Sequence, residues 1–334
     1  VNSPIRISTP SDMIAAIPAL LGFYPTQSVV GIVLSGGQIA TVIRVDAGDN
    51  DPERSATAAK FVGMTPTAEA VLLVAVADAR AAGAALKTLD AIRDALDTEG
   101  IITPRPLYIP KIEAGMHWTN LDGNENGVCA DPMASTVHTA RVVDGLVVES
   151  SRDNMVATYR QGRTVETGDM REAMATAHKE GSDQFAQNVL TELVAAARDG
   201  RTPDVALAAR VGILFPLHVV ARDAALGLAL SDPMNAHRVM AAIANQLDGI
   251  ARAEALTVAG YFAYAAGRGP LAGIAFNTAY DAIRGYPANP PRLLDLLHRA
   301  LTSGVHQDQI LELARTGRTQ AQNLGVELPE ASDA

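Results

Sequence analysis

The apolar positions of this chain change their period along its length. Between Ser28 and Leu34 they run almost unbroken (Val29, Val30, Ile32, Val33, Leu34), the pattern of a strand buried on both faces. Gly36-Gly37 follows, and two successive glycines supply the positive φ angles of a tight hairpin turn. From Gln38 to Asp46 the residues alternate, with Ile39, Thr41, Ile43 and Val45 on one face and Ala40, Val42, Arg44 and Asp46 on the other. The predicted hairpin therefore presents Arg44 and Asp46 together at one strand end. There they would form a rim ion pair, weakly stabilising if exposed, or touch a ligand.

The flanking pattern adds helices and further strands. Ile5 to Ser8 reads as a first short strand, and Thr9 as the cap of a helix with Pro10 in its first position, stopping at Gly22. Asp49 to Glu53 reads as a polar loop and Ser55 to Met64 as a short helix. Ala70 to Ala77 is an all-apolar strand ending at Asp78, and Ala79 to Thr98 repeats its apolar residues at helical spacing. Ile101 to Ile109, interrupted by proline, predicts an edge strand. Lys111 to Met133, with the sole tryptophan, Trp118, reads as irregular. Thr136 to Val143 predicts a helix, and Ser150-Ser151-Arg152 opens another. Strands alternating with helices make the stretch 1–165 an α/β domain with a mixed sheet and flanking helices.

Past Asp169 the strand signals disappear. Residues 166–320 predict an all-α domain, with breaks at Ser231-Asp232-Pro233, at Gly267 to Pro270, at Pro287 to Pro291 and at Thr302-Ser303-Gly304. Ala255 to Pro287 follows tetratricopeptide-like spacing at Gly260, Gly267, Ala272, Phe276 and Ala279. Pro287 comes three residues late and Ala263 stands where an aromatic is expected, so the stretch reads as repeat-like rather than as a repeat array. Phe276 would fill the gap that small residues leave between paired helices. Residues 321–334 predict a short, acidic, disordered tail.

Composition removes several function classes. The net charge of -10 and an aromatic content of 4% argue against a protein that tracks nucleic-acid phosphates or stacks on bases. Cys129 is the only cysteine, so neither an intrachain disulfide nor a multi-thiolate metal site is expected. The start of the chain lacks a charged-then-apolar leader pattern and no stretch reads as a membrane span, so a cytoplasmic location without membrane contact is expected. Val1 reads as an alternative start codon or a trimmed terminus.

Several motifs fail on their context. Leu34 to Gln38 spells LSGGQ, yet it joins two strands, and the chain contains no GxxxxGK[ST] phosphate loop. Asp122 to Gly127 matches the first half of a calcium loop, but Met133 stands where a bidentate glutamate is needed. The seven histidines form no ligand pair, and no metal or cofactor is expected.

The candidate ligand-binding residues are Arg44, Asp46, Asp78, Trp118, Ser151 and Arg152. In α/β sheets ligands lie beyond the carboxyl ends of strands, which favours Asp78 and the hairpin end. Two hydroxyls and an arginine at a helix start suit an anion. The plainer roles are a helix cap for Asp78, a cap with a surface arginine for Ser151-Arg152, and a rim pair for Arg44-Asp46.

Three segments together resemble an uncharacterised family of actinobacteria and their phages, domain of unknown function 4192. They are IRISTPSDMIAAIPALLGFYPTQSVVGIVL with IRVD, then STVHTARVVDGLVVESSRDNM, then VVARDAALGLALSDP with the helices from Ala255 to Gly304. The resemblance implies architecture and host range, and no activity. The leading expectation is a non-catalytic adaptor that binds a protein partner through its helical domain, with homo-oligomerisation left open. The alternative is a small-molecule or nucleotide-binding enzyme that uses the strand-end residues. A structural or anti-defence phage component reads the same as the adaptor.

Overall fold

The computed structural model describes residues 9–65, 68–143, 147–162, 164–287 and 289–330, so the strand expected at Ile5 to Ser8 lies outside the described residues. The chain divides into two compact units, one of Val1–Asn154 with Thr302–Gly304 and one of Met155–Leu301 with Val305–Ala334.

In the first unit, α1 (Pro10–Leu21) begins where its chemistry dictates. The Thr9 side chain accepts from the Asp12 N–H, Pro10 fills the first turn, and Gly22 ends the helix at a φ of 83°. β1 (Ser28–Ser35) and β2 (Gln38–Asp46) form the expected hairpin. Its turn places Gly36 and Gly37 at φ 58° and 73°, so LSGGQ is a hairpin turn. α2 (Asp51–Gly63) starts earlier than the sequence pattern implies, because Asn50 caps it and Pro52 suits its first turn. β3 (Ala70–Val76), α3 (Ala82–Thr98), β4 (Leu107–Ile109), β5 (His117–Asn120), β6 (Asn126–Val128) and α4 (Thr136–Val143) follow, and the division between the units falls within α5 (Arg152–Ala157), after Asn154.

The six strands lie in the order β2-β1-β3-β4-β5-β6. β3 and β4 pair in parallel, and every other neighbouring pair is antiparallel. Two sequence expectations need correcting. β4 is internal, since the prolines of its neighbourhood (Pro104, Pro106) precede the paired residues. The stretch read as irregular contains β5 and β6, too short and too polar to show a period.

Strand alternation sorts the sheet into two faces. Val29, Val33, Ile43, Val45, Leu73 and Ala75 pack with Phe61 of α2 and with Leu89, Ile92 and Leu96 of α3. Arg44, Asp46, Val30, Val74, Val76 and Trp118 fall on the opposite face by register. Trp118 on that face reaches α1, donating from Nε1 to Ser11 Oγ at 3.0 Å. It also lies across Gly127, where a Cβ would come within 2.7 Å of its ring.

The second unit is helical: α6 (Thr167–Glu180), α7 (Ser182–Asp199), α8 (Val205–Leu217), α9 (Val219–Ala225), α10 (Pro233–Ala244), α11 (Gly249–Ala265), α12 (Gly269–Ala282), α13 (Arg292–Thr302) and α14 (Gln307–Asn323). Asp232, Gly269 and Gly304 mark the predicted breaks. α11 is the centre, with every residue buried except Ile250. A helix apolar on all sides must be surrounded, and α8, α10, α12 and α14 surround this one. In the α11–α12 hairpin Phe276 sits on Gly260, where a Cβ would lie 2.4 Å from its ring. Part of the expected tail is packed: α14 runs to Asn323, Ala321 and Val326 are buried, and Arg318 donates to the Pro329 carbonyl at 2.9 Å. No single helix among the described residues is long and apolar enough to cross a membrane.

Candidate functional site

The loop 23–27 that feeds β1 organises one end of the sheet. Because β1 runs antiparallel to β2 and β3, Ser28 at its start lies beside Asp46 and Val76 at their ends. Gln27 holds a φ of 47°, a left-handed conformation that costs a non-glycine residue about 1–2 kcal/mol. The conformation is fixed from two sides. The Gln27 carbonyl accepts from Ala47 N–H at 3.1 Å, and its Nε2 donates to Asp78 Oδ2 at 2.8 Å. Its Oε1 is buried and unpartnered among the described residues.

Asp78 is not the N-cap of α3, which is Ala81 without a side-chain cap bond; it holds the turn that leads into the helix. Its Oδ1 accepts from the N–H groups of Arg80 (2.9 Å) and Ala81 (3.2 Å) at the entry to α3. The Ala81 bond, then the Gln27 amide and the Arg80 N–H hold its carboxyl below the usual range. Arg44 differs from expectation. Its ion pair with Asp46 is real, at 2.5 Å, but it is not an exposed rim pair: the Arg44 side chain is 13% exposed and that of Asp46 78%. Arg44 Nη2 also approaches the Thr26 carbonyl at 3.4 Å, while its Nε is buried without a partner among the described residues. Burial pulls the guanidinium below its ordinary value, Asp46 opposes this, and the charge of Arg152 adds to it.

Ser151 and Arg152 reach this region through the backbone. Phe23 bridges Glu149, and Tyr24 N–H donates to the Glu149 carbonyl at 3.2 Å. Ser151 Oγ then caps α5 by accepting from Asn154 N–H at 3.2 Å, and Ser150 Oγ accepts from Asn154 Nδ2 at 2.7 Å. Arg44, Asp46, Asp78, Ser151 and Arg152 are thus tied to the loop 23–27 or to the segment paired with it. Trp118 is not: it is buried, and its one polar atom is used on Ser11.

The partial calcium motif is a hairpin turn between β5 and β6. Its first carboxylate, Asp122, is held bidentately by Arg93, with both bonds at 2.7 Å. Among the described residues no group of three His, Cys, Asp or Glu is placed to hold a metal ion. Cys129 is buried, and burial foremost pushes its thiol up to about 11.

In the second unit the structure reveals polar groups that no sequence pattern marked. His237 is buried and meets the Tyr159 hydroxyl at 2.8 Å, and that hydroxyl is also 3.3 Å from the Leu271 carbonyl. Burial, with Arg268 and Arg238 adding to it, lowers the imidazole to about 4. Arg222 and Glu254 form a buried pair at 3.2 Å. His218 lies between α8 and α9 and caps α9, its Nδ1 accepting from Ala221 N–H at 3.1 Å. The axis turns by 119° at this corner. The turn leaves Leu217, Val219 and Val220 exposed at 71%, 54% and 43%, three large apolar side chains within four residues.

A family model described as Domain of unknown function (DUF4192) matches residues 10–308. The chain belongs to this family. The matched stretch includes the polar sheet end, the central helix α11 and the corner at His218. No curated protein and no solved structure matches the chain.

Proposed function

We propose that this member of the DUF4192 family is a non-catalytic protein-binding module whose docking surface is the α8–α9 corner of the helical unit. The observation that carries the reading is the exposure of Leu217, Val219 and Val220 at a corner that His218 holds in shape. Scattered single apolar residues are ordinary on a surface, whereas three together, kept outward by a sharp bend, are what a partner covers. The tetratricopeptide-like spacing of the α11–α12 hairpin supports the reading, since such hairpins build protein-binding surfaces.

The test is native mass spectrometry of the tagged full chain purified from its host, beside the triple variant Leu217→Ser, Val219→Ser, Val220→Ser. These side chains are exposed, so the variant should keep its circular dichroism and melting temperature. A stoichiometric partner on the wild type that is lost from the variant supports the reading. A partner that stays on the variant, or no partner on either, refutes it.

The alternative, a small-molecule or nucleotide-binding enzyme, is favoured by a different observation: five of its six candidate residues are tied to one loop system at the sheet end. Among the described residues no nucleophile and base are paired there, so binding is the part of that reading with support.

A further inference from the structure

The sheet end of the first unit holds two positive charges that its own chain does not fully neutralise. Arg44 is largely buried, its Nη2 is shared between Asp46 and the Thr26 carbonyl, and its Nε faces no acceptor among the described residues. An unpartnered buried donor costs about 1–3 kcal/mol. Arg152, a partly buried residue, makes no ion pair or hydrogen bond among the described residues. The backbone brings the two arginines into one neighbourhood. Glu149 is bonded to Tyr24, Arg44 contacts Thr26 in the same loop, and Arg152 is the first residue of the short helix α5, three residues after Glu149. Two guanidiniums within reach of each other's charge repel, and an oxyanion between them converts that repulsion into charge-assisted hydrogen bonds.

We propose that Arg44 and Arg152, with the hydroxyls of Ser150 and Ser151, bind the phosphate group of a small molecule. Both hydroxyls act as acceptors toward Asn154, and neither O–H donates to an acceptor among the described residues. Two guanidiniums and two hydroxyls offer more donors than the two oxygens of a carboxylate use, and they suit the three terminal oxygens of a phosphate. The strained backbone at Gln27 lies in the loop that contacts Arg44, and strain of this kind collects where ligands are held. Asp46 occupies Arg44 Nη2 and reaches solvent, so it is the resident competitor that the phosphate displaces.

The experiment is isothermal titration of the full chain with inorganic phosphate and pyrophosphate at constant ionic strength in chloride, with acetate as the carboxylate arm. The expected result is saturable binding of the phosphates, about tenfold weaker in Arg152→Ala. Asp46→Asn should bind more tightly than the wild type, because the competing carboxylate is gone. A site that is only structural would not gain affinity from that change. Absence of saturable binding, equal affinity in Arg152→Ala, or acetate bound as tightly as phosphate would each overturn the proposal. Arg152 makes no ion pair or hydrogen bond among the described residues, so its alanine variant is expected to keep the wild-type circular dichroism, which is measured beside the titration.

Discussion

Acidification to about pH 5 is expected to weaken the helical unit of the wild-type chain more than that of a His237→Gln variant. His237 is buried against Tyr159, and the fold holds its ring at about 4, against an ordinary value of 6.5. As pH falls between those two values, the unfolded chain takes up a proton that the folded chain refuses. The stability tied to this ring is therefore complete above the ordinary value, declines through the window, and is level below the folded value. Linkage puts the loss at about 2 kcal/mol by pH 5 and about 3 kcal/mol once the folded ring also titrates. Glu254, pushed up by burial, contributes with the opposite sign. It is common to both proteins, so the difference between wild type and variant isolates His237. The assay is urea unfolding followed by far-UV circular dichroism, which the helical unit dominates, at neutral pH and near pH 5. The sole tryptophan, Trp118, lies in the first unit and gives that unit a separate signal. If wild type and variant lose the same stability on acidification, the buried neutral His237 is wrong.

Two further outcomes follow from packing. Gly260→Ala would place a Cβ 2.4 Å from the Phe276 ring in the core of the second unit, and overpacking there should cost about 1–3 kcal/mol; an unchanged thermal midpoint would show that the hairpin contact is absent. Cys129 is buried with its thiol pushed up to about 11, so a disulfide reagent at neutral pH should find no reactive thiol until the first unit unfolds. Prompt stoichiometric labelling of the native chain would contradict that placement.

Much of the fold was legible because local chemistry and the hydrophobic period agreed. The β1–β2 hairpin, the apolar β3, the capped start of α1 and the breaks between later helices all follow from residues next to one another. What was hidden depended on distance. β5 and β6 are too short for their alternation to register, and proline beside β4 suggested an edge that its partners on both sides remove. Arg44 read as a rim charge, since nothing in its own strand tells that its side chain is covered. The candidate site was legible in part: strand ends and helix starts pointed to Arg44, Asp46, Asp78, Ser151 and Arg152. No local signal marked Gln27, whose left-handed backbone is imposed by Ala47 and Asp78. Trp118 was drawn in only by its rarity. The buried pairs Tyr159–His237 and Arg222–Glu254 join residues far apart in sequence, while the burial of α11 had a visible sign in its apolar residues on every side.

The measurement that bears most directly on the docking surface is site-specific photo-crosslinking in the host, with a photoreactive side chain at position 219 and, as control, at the exposed Lys179 of α6. A discrete adduct formed from position 219 and not from position 179 is the predicted result. A smear of adducts from both positions, or none from position 219, would mean that the exposed corner of Leu217, Val219 and Val220 is not where this protein meets a partner.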